Sequence, residues 1–160
     1  MTHVEMIDTK DLARFKALNV DADVQVGSEY LGEGDHSWAE PLIGKARAHK
    51  LVPLRALYDS GANVTLSSDW NVNPLSPLAG ISNAIKLKNK DLPDVRAAVD
   101  AYTINAAKAL GLESITGSIE VGKSADLVIL DKVIFDQPPA SIITTKVIRT
   151  LLQGETVYGK

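Results

Sequence analysis

The stretch "NVTLSSDW", residues 63–70, decides how the rest of the chain is read. An apolar run, Asn63-Val64-Thr65-Leu66, gives way to two serines, an aspartate and a tryptophan, so "NVTLSS" reads as a strand that finishes on a carboxylate. Two readings of Asp69 stand at this point. Aspartate after a strand commonly makes a turn or caps a helix. An acid at the carboxyl end of a barrel strand is also a common place for a catalytic group.

Upstream, "TKDLARFKAL" (9–18) places Leu12, Phe15 and Leu18 on one helical face, with Thr9 or Asp8 as cap. "VDADVQVG" (20–27) alternates Val20, Ala22, Val24 and Val26 with polar residues and stops at Gly27, which predicts a second strand. "SEYLGEGDHSW" (28–38) carries Gly32, Gly34 and Asp35 and reads as a loop. A helix is expected from Pro53 to Ser60, ended by Gly61.

Downstream of Trp70, "NVNPLSPLAG" is a proline-rich connection, followed by an amphipathic stretch from Leu78 to Leu87. Lys86, Lys88 and Lys90 beside Asp91 and Asp94 read as a solvated helix end. "PDVRAAVDAYTINAAKAL" (93–110) is the clearest helix, with Pro93 at its start and Gly111 at its end. Within it, Thr103 and Asn105 read as polar groups bonding their own helix backbone or the neighbouring strand. Beyond Gly117, "GSIEVGKSADLVILDK" and "KVIRTLLQGETVYGK" are β-branched segments split by glycines, which predicts a small antiparallel sheet. The texture is therefore βαβα for the first two-thirds of the chain and all-β at its end, an α/β fold class.

The totals narrow the function classes. A chain of 160 residues is one domain or two small ones, and with 45% hydrophobic residues it can bury a sizeable core. A net charge of −3 gives no electrostatic reason to expect nucleic acid or an anionic membrane as partner. With no cysteine there is neither a disulfide framework nor a thiolate metal site, so any transition metal must be held by carboxylates and the three histidines. No apolar run approaches the ~20 residues that span a bilayer, and no signal-peptide pattern is present, so a cytoplasmic location is expected. A complete (β/α)8 barrel takes ~250 residues and rarely fewer than about 200. If residues 1–112 are barrel units, only the last few fit.

The combination of "HVEMIDTKDLARFKALNVDADVQVG", "PLRALYDSGANVTLSSDWNVNPLSPLAGISNAI", "AYTINAAKALG", "GSIEVGKSADLVILD" and "VIRTLLQGETVY" resembles the carboxyl-terminal portion of the metal-dependent amidohydrolases. Within that superfamily it is similar to the amidohydrolase-3 group, which includes N-substituted formamide deformylase-like proteins and bacterial proteins labelled exoenzyme regulatory proteins. The resemblance spans nearly the whole chain. It implies the last β/α units of a TIM (β/α)8 barrel over residues 1–112, strands six to eight with their helices. Residues 113–160 would then be the carboxyl-terminal strands of a small β-sandwich.

It also implies a divalent metal, zinc above all, and a small-molecule amide substrate in the parent enzyme. "THVEMID" matches the segment after the sixth strand, so His3 falls on a metal-ligand position, and Asp69 falls on the eighth-strand aspartate that ligates metal and takes a proton from the attacking water. Arg47 in "GKARAHK" occupies the place of a family arginine ahead of the seventh-to-eighth helix, and substrate-loop support is the most expected of it. His36 is either a substrate-loop residue or a solvated loop histidine, and Trp70 either lines the site mouth or packs under Pro74 and Pro77. The alternative for His3 is a frayed terminal residue in solvent.

The departures are equally specific. There is no His-x-His pair, and His36 and His49 match no ligand position, so at most two ligands of the implied site are present. Met1 directly ahead of Thr2-His3 reads as a start cut into the sixth strand, and Lys160 reads as a natural end. The expectation is a fragment of a hydrolase acting on carbon–nitrogen bonds other than peptide bonds, inactive alone and with no metal bound in this chain. The alternative is a non-catalytic structural or regulatory module whose exposed sheet edges pair with a second copy.

Overall fold

The computed structural model describes residues 1–27 and 36–159. Most of the loop expected over 28–38 lies outside the described residues. The Asp8 side chain accepts from the Lys10 backbone N–H, fixing Asp8 as the cap of a 3-10 turn (Thr9–Asp11) that runs into α1 (Leu12–Ala17). Phe15 is buried, whereas Leu18 falls beyond the helix and is exposed. Strand β1 (Ala22–Gln25) pairs in parallel with β2 (Val64–Ser67), Ala22 opposite Val64 and Gln25 opposite Ser67. On the other edge of β1, the Asp23 N–H donates to Met1 O and the Val4 N–H donates to Asp23 O. Residues 1–4 thus run alongside β1 without forming a regular strand, and His3 among them has φ +54°.

Alternate residues of a strand point to opposite faces, and the two faces of this unit differ sharply. Ala22, Val24, Val26, Val64 and Leu66 join Phe15, Leu54, Leu57, Ile81 and Ala98 in one apolar core. On the other face Asp23, Gln25, Thr65 and Ser67 bond one another. The Asp23 carboxylate accepts from Thr65 Oγ1 (3.0 Å), Ser67 Oγ (2.9 Å) and Gln25 Nε2 (2.8 Å).

Between the strands come α2 (Glu40–Ile43), α3 (Lys45–Ala48) and α4 (Leu54–Asp59), the last of which fills the place expected for the Pro53–Ser60 helix. Helix α5 (Pro77–Ala84) is buried through Ala79–Ala84 rather than on one face, because it packs against β2 and also against α8 (Pro139–Ile142). Its interior polar groups find acceptors: Ser82 Oγ donates to Pro139 O and Asn83 Nδ2 to Val26 O, each at 2.8 Å. Lys90, expected in solvent, instead places its amine on Leu51 O, and burial lowers its pKa.

The helix expected over 93–110 is two helices. Asp94, not Pro93, begins the first, because its carboxylate can accept the Ala97 N–H (2.8 Å) and proline offers no such acceptor. Helix α6 (Val95–Tyr102) breaks at Thr103 (φ −121°, ψ −95°) and α7 (Ile104–Ala109) follows. The break is held by tertiary bonds: Asn105 Nδ2 reaches Val64 O and Asn63 Nδ2 reaches Asn105 O, both at 3.0 Å, stitching the second helix to β2. Thr103 Oγ1 meanwhile bonds Val99 O at 2.8 Å while remaining exposed.

The carboxyl-terminal sheet is as expected, antiparallel in the order β3 (Leu127–Leu130), β4 (Val147–Leu152), β5 (Glu155–Tyr158). Gln153 (φ +52°) and Gly154 (φ +86°) make the β4–β5 turn, where two successive positive φ values match the strand twist. Among the described residues no helix is long and apolar enough to cross a membrane.

Candidate metal centre

The geometry brings together the two residues expected to ligate metal. His3 sits on the segment along one edge of β1, and Asp69 follows β2 on the other edge. Their side chains meet with His3 Nε2 3.7 Å from Asp69 Oδ2, both about half exposed. His3 Nδ1 also lies 3.5 Å from Glu5 Oε1. His3 is therefore not a frayed terminal residue. The Met1 ammonium donates to Asp21 O and the flanking backbone is bonded into β1, so the segment is held in place.

Asp69 is a turn residue whose carboxylate also approaches His3, so the two readings of "SSDW" do not exclude each other. It adopts φ +52°, a conformation aspartate tolerates better than most residues, and the Val72 N–H donates to Asp69 O at 2.8 Å. That turn leaves the carboxylate free to point at His3.

The pair suits a shared cation. Two donors on one tetrahedral zinc, each ~2.0–2.1 Å from the ion, lie about 3.4 Å apart, close to the observed 3.7 Å. A neutral imidazole nitrogen and a carboxylate oxygen are both ordinary zinc donors. Among the described residues no third histidine or acid completes a cluster of three. The chain thus fits two positions of such a site.

The other candidates fall elsewhere. Trp70 is 70% exposed, so it does not pack under Pro74 and Pro77; it stands in solvent beside Asp69. His36 is neither solvated nor positioned to touch a substrate from the surface, since it is only 3% exposed. Ala39 N–H donates to His36 O, which ties the residue into the turn Ser37–Ala39 and carries its ring inward. Arg47 is exposed and turns its Nε back to Ile43 O at 2.6 Å, across the α2–α3 junction. His49 pairs with Glu40 at 2.9 Å, remote in sequence from both His3 and Asp69.

A groove of about 380 Å³ opens from His3 along α1, lined by Met1, Val4, Ile7, Phe15 and Leu18 among others. Asp69 is not among its lining residues. Behind the strands, burial pushes the Tyr102 phenol up to about 12, with the Asp23 carboxylate adding to the effect. Sequence reasoning missed Asn73, which lies beside Asp69. Asn73 is buried and donates from Nδ2 to Ser68 O at 2.6 Å, and it lies against Gly27. The available signal was Gly27 itself, two residues past the strand on the polar-facing parity.

The family model for the amidohydrolase family matches residues 1–158. The chain is 30% identical over 170 residues to the N-substituted formamide deformylase of Arthrobacter pascens, an alignment covering 100% of this chain and 31% of that protein. It is 41% identical over 86 residues to the imidazolonepropionase of Bdellovibrio bacteriovorus, covering 52% of this chain and 20% of that one. A solved adenosine deaminase from Xanthomonas campestris with bound zinc superposes with a TM-score of 0.74 at 21% identity, over 99% of this chain and 36% of that one. At that identity the likeness is one of fold. The chain spans less than a third of the length of these relatives' sequences.

Proposed function

The chain belongs to the amidohydrolase family, and on that premise we propose that it supplies the carboxyl-terminal part of a metal-dependent hydrolase. The reaction is cleavage of carbon–nitrogen bonds other than peptide bonds in a small amide. Residues 1–112 are read as strands six to eight of a (β/α)8 barrel with their helices, and residues 113–160 as the sandwich segment. The parallel order of residues 1–4, β1 and β2, with the apolar face under helices and the polar face opposite, supports the barrel reading.

One observation carries the functional reading: the 3.7 Å approach of His3 Nε2 to Asp69 Oδ2 at the strand ends. His3 and Asp69 would hold a divalent ion, zinc by the chemistry of the pair, with the remaining ligands supplied from outside these 160 residues. Such an ion lowers the pKa of bound water to about 7 and polarises a carbonyl. Asp69 takes the proton given up by the attacking water at a carboxylate oxygen and returns it to the leaving nitrogen, base first and acid second. His3 presents an imidazole nitrogen and, through Glu5, keeps its ring oriented. Trp70 would meet the substrate, a role its exposure one residue beyond Asp69 supports. Arg47 would support the substrate loop from outside the site, its Nε bonded to Ile43 O.

The test is hydrolysis of N-substituted formamides and hydantoin-like cyclic amides by the full reading frame containing these residues, with formate or amine release as the readout. Turnover that a chelator abolishes supports the proposal. Metal-loaded protein that cleaves none of these bonds contradicts it. The 160-residue chain alone should show no turnover.

A second reading, a non-catalytic module that self-associates, is favoured by the carboxyl-terminal sheet. Among the described residues neither edge strand, β3 nor β5, has a further strand beside it, and Val128, Ile148, Val157 and Tyr158 are exposed. Open edges are templates for pairing. Sedimentation of the chain separates the readings: a stable dimer without metal uptake favours the second.

A further inference from the structure

Where β1 and β2 end, their last carbonyls lose ladder partners and must be bonded by something else. Two side-chain amides do this. Asn83 Nδ2 donates to Val26 O at 2.8 Å, and Asn73 Nδ2 donates to Ser68 O at 2.6 Å. The second bond closes a loop of backbone around Asp69, from Ser68 to Asn73, inside which the Val72 N–H already donates to Asp69 O.

Asn73 can sit there only because residue 27 has no side chain. Continuing the parallel register of Gln25 with Ser67 by two residues sets Gly27 beside Asp69. A Cβ on Gly27 would lie 2.6 Å from Asn73 Cβ and 3.5 Å from Ser68 O. The atom it would meet is a Cβ fixed to the backbone, not the end of a flexible chain, so the whole turn would have to move. Asn73 is 7% exposed, a buried amide committed to this position.

We propose that Asn73, seated over the bare Cα of Gly27, is the positioning residue for Asp69. Its hold on Ser68 O keeps Asp69 at φ +52° and so keeps the carboxylate turned toward His3. A non-glycine residue persists in the left-handed region only where its surroundings fix it, and the clasp between Gly27 and Asn73 is that fixture. The inference rests on the reading of Asp69 and His3 as one site, but its test does not depend on turnover.

The test is NMR of the labelled chain, reading the Asp69 amide-to-α coupling and Cα/Cβ shifts, which report a positive φ, and the NOE between the His3 imidazole and the Asp69 β-protons. Asn73→Asp keeps the shape and removes the donor; Gly27→Ala pushes Asn73 away. Both variants are expected to lose the positive-φ signature and the NOE. Val95→Ala, a core truncation elsewhere, should lower Tm while keeping both signals. Either variant folded with both signals intact overturns the proposal. Should Asn73→Asp fail to fold, Gly27→Ala and Asn73→Ser give the reading. Failure of the hydrolysis assay would overturn the proposed function and leave this result standing.

Discussion

His3 Nε2 and Asp69 Oδ2 face each other at 3.7 Å, one from the segment bonded along one edge of β1 and one from the turn that follows β2 on the other edge. The chain spends a left-handed backbone at both residues to achieve this, φ +54° at His3 and +52° at Asp69. A non-glycine residue in that region needs surroundings that hold it there, and here the surroundings are the strand ends.

If Asp69 moves protons, its removal must act on the chemical step. Asp69→Asn in the full reading frame should lower kcat by about 10²–10⁴-fold, while the chain's melting temperature stays close to that of the unaltered protein. Steady-state kinetics on an N-substituted formamide checks this. Unchanged kcat would remove Asp69 from the mechanism.

The core under the strands carries the stability. Leu57 is fully buried at 0% exposure between α4 and the strand face. Leu57→Ala deletes buried methyl groups and leaves a cavity, so it should cost about 2–5 kcal/mol in urea unfolding.

Gly80 and Tyr102 make a tight pair. A Cβ on Gly80 would collide with the Tyr102 hydroxyl and approach its ring carbons at 2.8 and 3.1 Å. Gly80→Ala should therefore destabilise by about 1–3 kcal/mol despite its better helix propensity. Adding Tyr102→Phe should recover part of the loss, because the hydroxyl clash goes while the ring remains. Thermal or urea denaturation of the two variants decides it.

Acid should loosen the carboxyl-terminal sheet through Asp126. Its carboxylate accepts from the Gln153 backbone N–H (2.8 Å), Thr116 Oγ1 (2.8 Å) and Ser124 Oγ (2.9 Å), and these bonds hold its pKa below the ordinary 3.8. The unfolded chain then takes up the proton more readily than the folded one. The stabilisation is present above about pH 4 and is lost as the pH falls below it. Melting curves recorded from neutral pH down into acid should show Asp126→Ala less stable at neutral pH and less sensitive to acid than the unaltered chain.

Much of this was legible in the residues. The alternation of Val20, Ala22, Val24 and Val26 marked β1, "NVTLSS" marked β2, and the glycine-split β-branched segments marked the antiparallel sheet, because period-two patterns survive any packing arrangement. Asp69 and His3 were identified because their flanking segments match a family pattern. What was not legible depends on contacts distant in sequence. The helix over 93–110 breaks at Thr103 because Asn105 and Asn63 bond across to each other's elements, which no local propensity encodes. Likewise the burial of His36, the exposure of Trp70 and the amide of Asn73 closing on Ser68 follow from how loops fold back on the strand ends.

Whether His3 and Asp69 are ligands of one metal ion is decided by zinc-edge anomalous diffraction from crystals of the full reading frame containing these residues, grown with a zinc salt. The expected result is a peak bridging the two side chains, about 2.0–2.2 Å from His3 Nε2 and from Asp69 Oδ2. Zinc found only elsewhere, for example on His49 with Glu40, with nothing between His3 and Asp69, would contradict it.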